Sequence, residues 1–92
     1  MTTHIGILGG GNISTTHARA ASEIDAVEIA AVCGQNQEKA AQLARGYGGV
    51  VYQDLQSFLD HRPMQIVALG SPSGLHAEQG IAAARRGLHV LV

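Results

Sequence analysis

Three successive glycines interrupt HIGILGGGNISTTHARA (residues 4–20), where an apolar run gives way to a helix-like one. Within it Gly9, Gly11 and Ser14 fit the pattern G-x-G-x-x-S. The chemistry served by that spacing is the holding of a diphosphate. The first glycine turns the chain sharply, and the second lets main chain approach phosphate with no Cβ in between. The third position wants a small residue, so that helix and strand pack closely. The helix that follows directs free N–H groups and the positive end of its dipole at the anion. Set between a strand and a helix in a βαβ unit of ~30 residues, the pattern predicts dinucleotide binding. Taken alone it is a tight turn.

A second group of interest is Cys33-Gly34-Gln35-Asn36, at the end of the apolar run VEIAAVC (27–33). NAD-binding chains place Asp or Glu here for the ribose hydroxyls. This one has none, because the first acid downstream is Glu38. Its absence removes repulsion against a 2′-phosphate, and Gly34 leaves room for one. Lys39, Gln35 and Asn36 are the candidate partners, so NADP is expected to be tolerated or preferred. The plain alternative for these residues is turn and capping chemistry on a solvated face.

The third group, GSPSGLHAE (70–78), follows a further apolar run. Ser71 and Pro72 can line a crevice shared with the glycine loop, Ser73 can cap the next helix, and His76 falls in its first turn. The plain reading of His76 is a surface histidine near a helix start. A serine-hydrolase elbow fails, because G-x-S-x-G would need serine at Pro72. Zinc is not expected, since the five histidines form no i, i+4 pair and there is one cysteine. His17 is expected to be partly buried and hydrogen-bonded, and Cys33 to be a small core residue, not a nucleophile. No residue is assigned a catalytic role.

The elements that must position these groups alternate strand and helix. His4 to Leu8 reads as a strand. Ile13, His17, Ala20, Ala21 and Ile24 follow helical spacing and predict one buried helix face. VEIAAVC has the look of a strand covered on both sides. Asn36 caps a helix carried by Ala40, Ala41, Leu43 and Ala44 and ended near Gly46–Gly49. VVYQ (50–53) is a short strand, and Asp54 caps a brief helix with Leu55, Phe58 and Leu59. QIVALG (65–70) is a buried strand, a helix runs from about Leu75 to Arg86 with Gly87 at C′, and HVLV (89–92) starts a fifth strand. The alternation predicts an α/β fold, a doubly wound parallel sheet of Rossmann type with strand order 3-2-1-4-5. Its switch point, and its ligand crevice, then lie between the first and fourth strands.

Composition bounds the function classes. The chain has 92 residues, formal net charge −1, 46% hydrophobic and 14% charged residues. Such a balance offers no basic footprint for nucleic acid. No apolar run approaches the ~18 residues of a membrane span. The N-terminus lacks the basic flank of a secretory signal, and one cysteine suits a reducing compartment, so a cytoplasmic location is expected.

Taken together, GILGGGNISTTHARA, VEIAAVCGQNQEKAAQLARGYG, VVYQDLQSFL and QIVALGSPSGLHAEQGIAAARRGLHVLV resemble the N-terminal domain of the Gfo/Idh/MocA oxidoreductase family. The resemblance covers essentially the whole chain. It implies a two-domain parent enzyme that oxidises or reduces a sugar, inositol or related polyol with NADP or NAD. By that likeness Gly9, Gly11, Asn12 and Ile13 line the pyrophosphate. Gly34, Gln35 and Lys39 lie near the adenosine ribose, and Ser71, Pro72 and His76 near the nicotinamide half. Family members continue into a Glu-Lys-Pro motif and a C-terminal α+β substrate domain, both absent from this sequence. Residues 1–92 therefore read as the NAD(P)-binding part of a longer parent, inactive alone. The missing acid after the second strand departs from the family's usual NAD preference. An alternative is a non-catalytic NAD(P)-sensing module. An S-adenosylmethionine fold is disfavoured, because it wants acids near the glycine loop and after the second strand. HVLV, as an apolar edge strand, predicts a homo-oligomer.

Overall fold

The computed structural model describes residues 2–9, 11–71 and 73–92. Five parallel strands form one sheet: β1 (Thr3–Leu8), β2 (Val27–Cys33), β3 (Val50–Tyr52), β4 (Ile66–Leu69) and β5 (His89–Leu91). Their spatial order is β3-β2-β1-β4-β5, as expected from the alternation. The crossovers are α1 (Asn12–Ser22), α2 (Gln37–Tyr47), α3 (Leu55–Leu59) and α4 (His76–Arg85), the last preceded by a 3-10 turn at Ser73–Leu75. No helix among the described residues is long and apolar enough to cross a membrane.

Two apolar layers sandwich the sheet. On one side Ile7, Ile29, Val32 and Ala68 pack with Ala18 and Ala21 of α1 and Ala40 and Leu43 of α2. On the other, Leu8, Ala31, Cys33, Val67 and Leu69 pack with Phe58 and Leu59 of α3 and Ala83 of α4. Gly6 is bare because the Phe58 ring and the Met64 sulfur sit over it: an added Cβ would come within 2.7 Å of Phe58 Cζ.

One irregularity governs the sidedness of β2. Ile5 pairs with Ile29, but Gly6 pairs with Ala31, so Ala30 is a surplus residue. This β-bulge lets Ile29 and Val32 face the same layer although they are an odd number of positions apart. Strict alternation would have sent them to opposite faces.

Local signals place the helix ends. Asn36 Oδ1 accepts from Lys39 N at 3.1 Å, and Asp54 Oδ2 from Ser57 N at 2.9 Å. α4 ends in a Schellman turn, in which Gly87 at φ 77° donates to Ala84 O and Leu88 N to Ala83 O. Leu88 and Ala83 close that turn inside the same core. At this closed edge Arg62 donates to the Leu59 and His61 carbonyls at 2.8 and 2.7 Å, and Arg86 pairs with Asp60 at 2.8 Å.

Two local expectations are corrected. The α1 face read as Ile13, His17, Ala20, Ala21 and Ile24 is rotated: Ser14, Ala18 and Ala21 are buried, while Ala20 is exposed and Ile13 stands 58% exposed. The helix stops at Ser22, leaving Ile24 outside it and exposed. At Ser14 a small residue is required, because α1 approaches the end of β4 so closely that a Cβ on Gly70 would lie 3.0 Å from Ser14 N. Ser73 does not cap α4. The 3-10 turn intervenes, and the N-cap is Leu75 with no side-chain hydrogen bond.

Candidate functional site

The site is built where β1 and β4 end side by side. Gly9, at φ 115°, turns the chain out of β1. Its N–H donates to Cys33 O at 2.6 Å, and the Gly70 N–H donates to Leu8 O at 2.8 Å, so three strand ends are tied together. The main chains nearly touch. A Cβ on Gly9 would lie 2.7 Å from the Gly70 carbonyl carbon, and one on Gly70 would lie 3.0 Å from Ser14 N. Ser14 is 0% exposed, so the small third position of the glycine pattern serves close packing, with the end of β4 as its neighbour.

Gly11 is the N-cap of α1. It offers no side-chain cap, and no acid occupies the first turn. A Cβ there would meet nothing within 4 Å, so Gly11 faces open space. The comparison within the fold is informative. α2 and α3, away from the switch point, are capped by Asn36 and Asp54, whereas α1 and α4, which flank it, have no side-chain cap. Main-chain N–H groups at the start of a helix need acceptors. At α1 they begin beside Gly11, which lines an opening.

That opening is a cavity of about 560 Å³ running from the Gly9–Gly11 turn to the ends of β2 and β4. Among the sequence candidates, Gly9, Gly11, Gly34, Gln35, Lys39 and Ser71 line it together. Asn12 lines a smaller neighbouring cavity of about 330 Å³ between α1 and α2, which shares Gly11 and Lys39 with the first. Ile13 lines neither cavity and is exposed. His76 does not line them either; its Nε2 lies 2.7 Å from Ser71 O and holds the loop after β4. Pro72 lies outside the described residues.

Among the described residues the lining carries no Asp or Glu, and Lys39 is its one charged side chain. Cys33 contributes to the floor as a buried thiol. Burial, and secondarily the Asp54 carboxylate, push that thiol up, away from the reactive thiolate. His17 is half-buried as expected, but its Nδ1 is buried without a hydrogen-bond partner among the described residues. Sequence reasoning missed Gly70 and Gln79. Both line the cavity, Gly70 at the strand crossing and Gln79 through a hydrogen bond with the Ser71 hydroxyl. Gly70 carried a usable signal, a glycine at the end of β4 on the same edge as the glycine turn. Gln79 carried none, being a polar residue within a helix.

Residues 3–92 match the model of an oxidoreductase family described as having an NAD-binding Rossmann fold, Gfo/Idh/MocA. Glucose-6-phosphate 3-dehydrogenase of Bacillus subtilis is 34% identical over 87 residues, covering 95% of this chain and 24% of that protein. Inositol 2-dehydrogenase of Streptomyces avermitilis is 33% identical over 95% of this chain and 26% of its own length. Among solved structures, KijD10, a 3-ketoreductase from Actinomadura kijaniata in complex with TDP-benzene and NADP, superposes with a TM-score of 0.90 at 25% identity. That superposition covers 99% of this chain and 29% of KijD10. The chain thus spans about a quarter of the length of the curated relatives it matches.

Proposed function

Because the chain belongs to the Gfo/Idh/MocA oxidoreductase family, matching its NAD-binding Rossmann fold, we propose that the cavity at the switch point holds a nicotinamide dinucleotide in one defined direction. The diphosphate lies on the Gly9–Gly11 turn against the N–H groups of Asn12 and Ile13. Gly34, Gln35 and Lys39 take the adenosine ribose. Ser71, Pro72 and His76 form and support the nicotinamide end. One observation carries the reading: the α1 N-terminus, without side-chain cap or acid, opens through a bare Gly11 onto that cavity.

The bound nicotinamide supplies hydride transfer. This chain's residues bind and orient it. Lys39 as the only charge in the lining, with no carboxylate beside it, favours NADP over NAD. The whole protein then acts on a sugar, inositol or related polyol, the class to which the two curated relatives' names point. Residues 1–92 serve as its NAD(P)-binding unit and are inactive on their own. The buried free thiol of Cys33 supports a cytoplasmic location, which cell fractionation tests. β5 lies at the sheet edge with Val90 and Leu91 exposed, which supports association with a second copy.

Calorimetric titration of the chain with NADP and with NAD is the deciding experiment. Tighter binding of NADP is expected. Binding NAD about tenfold more tightly, a preference near 1.4 kcal/mol, would end the NADP preference. Failure to bind either would end the reading altogether.

A further inference from the structure

The β4 side of the cavity holds a polar pair, Ser71 and Gln79, whose hydrogen-bonding groups the general binding scheme leaves unassigned. Ser71 is gripped twice by α4. Its carbonyl accepts from His76 Nε2 at 2.7 Å, which places the proton on that nitrogen, since a carbonyl only accepts. Its hydroxyl donates to Gln79 Oε1. His76 and Gln79 are at i and i+3 on the helix and so share a face. Ser71 and Gln79 line the cavity, and both are half-buried.

The hydroxyl has a single proton, and Gln79 already receives it. The groups still unused by the pair are the Gln79 Nε2 donors and the Ser71 Oγ lone pairs. A donor beside an acceptor is the complement of a primary carboxamide, which carries C=O and NH2 on one carbon. Charge separates the two ends of the cavity. Lys39 stands with Gln35 and Asn36 beyond β2, whereas Gly70, Ser71, Leu75 and Gln79 on the β4 side are neutral. A neutral polar group therefore belongs at the β4 end.

We propose that Ser71 and Gln79 read the carboxamide of the nicotinamide ring, with Gln79 Nε2 donating to its carbonyl and Ser71 Oγ accepting from its NH2. The inference rests on the dinucleotide reading above and adds to it a specific pair of residues. His76 acts as a positioning residue, holding the Ser71 main chain.

The test uses three probes in titrations of the 92-residue chain: NADP, its 3-acetylpyridine analogue, in which methyl replaces the amide NH2, and 2′-phospho-ADP-ribose, which lacks the ring. The wild-type chain should prefer NADP to the acetyl analogue by about tenfold, the worth of one hydrogen bond in a shielded site. In Gln79→Glu, which keeps the acceptor for Ser71 but loses the donors, NADP binding should weaken by a similar factor. Ser71→Ala, a loop substitution that spares the helix, should bring the NADP-to-analogue ratio toward one. The affinity for 2′-phospho-ADP-ribose should stay within about twofold in both variants. A full preference retained in Ser71→Ala overturns the proposal. So does equal weakening of the ringless probe, which would make the pair a loop support alone. A wild-type chain that binds 2′-phospho-ADP-ribose without distinguishing the other two sinks this inference and spares the dinucleotide reading. A chain that binds none of the three overturns both.

Discussion

Substituting Gly70 by alanine probes the crossing on which both fold and site depend. The added Cβ would lie 3.0 Å from Ser14 N and 3.1 Å from Ser14 Cα, and it would collide with Ser14 Oγ. Ser14 is fully buried in the first turn of α1, so relief requires the helix to back away from β4. Overpacking costs about 1–3 kcal/mol, and with main chain on the receiving side we expect ~2–3 kcal/mol. In a domain of this size that lowers the melting midpoint by roughly 10–20 °C. Ser14→Ala separates the contributions. The Ser14 hydroxyl is buried with no hydrogen-bond partner among the described residues, so its removal should stabilise the chain by about 0.5–1 kcal/mol. In the double variant the hydroxyl collision is gone but the main-chain contacts persist, and the Gly70→Ala penalty should shrink by about 1 kcal/mol. Urea unfolding followed by circular dichroism measures each corner of the cycle. Gly46→Ala is the control, because Gly46 lies in α2 with nothing within 4 Å, and alanine there should add about 0.5–1 kcal/mol. A Gly70→Ala chain with the wild-type midpoint, or a penalty indifferent to Ser14→Ala, would refute the close-crossing argument.

Other outcomes are expected. Lys39→Ala should weaken NADP by about tenfold, the lower range for a charge-assisted contact, and leave NAD almost unchanged in the same titration. Asp54 is held below the usual carboxylate range by the Ser57 main-chain N–H and then its side chain. A depressed folded value means that its contribution is present above the unfolded value, ~3.9, and is lost as pH falls through the folded one. Asp54→Asn should accordingly flatten the acid limb of a stability–pH curve, and an unchanged limb would contradict the assignment. Cys33, buried and with its thiol pushed up, should react with iodoacetamide only as urea unfolds the chain; prompt labelling in native buffer would count against it. Leu91→Lys, at an edge position 51% exposed, should reduce any self-association seen by light scattering, and a wild-type chain that stays monomeric at high concentration removes the homo-oligomer.

Much of the architecture was legible because its signals are local. Glycine at the joints, Asn36 and Asp54 before apolar runs, and Gly87 after the last helix each act locally and agree with the fold, whereas Ser73, expected to cap α4, is displaced by the 3-10 turn. Strand order followed from chirality rules that need no side-chain detail. What escaped was set by distance between elements. Hydrophobicity argues for Ile13 and Ile24 on the inner face of α1, yet the face that turns inward carries Ser14, Ala18 and Ala21, with Ser14 against Gly70. The bulge at Ala30 was hidden because, after Glu28, the run IAAVC is wholly apolar and so gives no alternation to break. Of the candidate site, the glycine turn and the residues after β2 came together as read. Ile13 stands apart, and His76 works through Ser71 instead of lining the cavity.

The surplus residue in β2 is slack that the facing strand lacks. Were Ala30 lost, Ile29 and Ala31 would become consecutive opposite Ile5 and Gly6, and plain alternation would leave Val32 among the alanines of α1 and α2 and Cys33 beneath the nucleotide cavity. β1 has no spare position: a residue lost between Ile5 and Ile7 would send those two side chains to opposite layers. A one-residue deletion is therefore absorbed on one side of this strand pair and scrambles the core on the other.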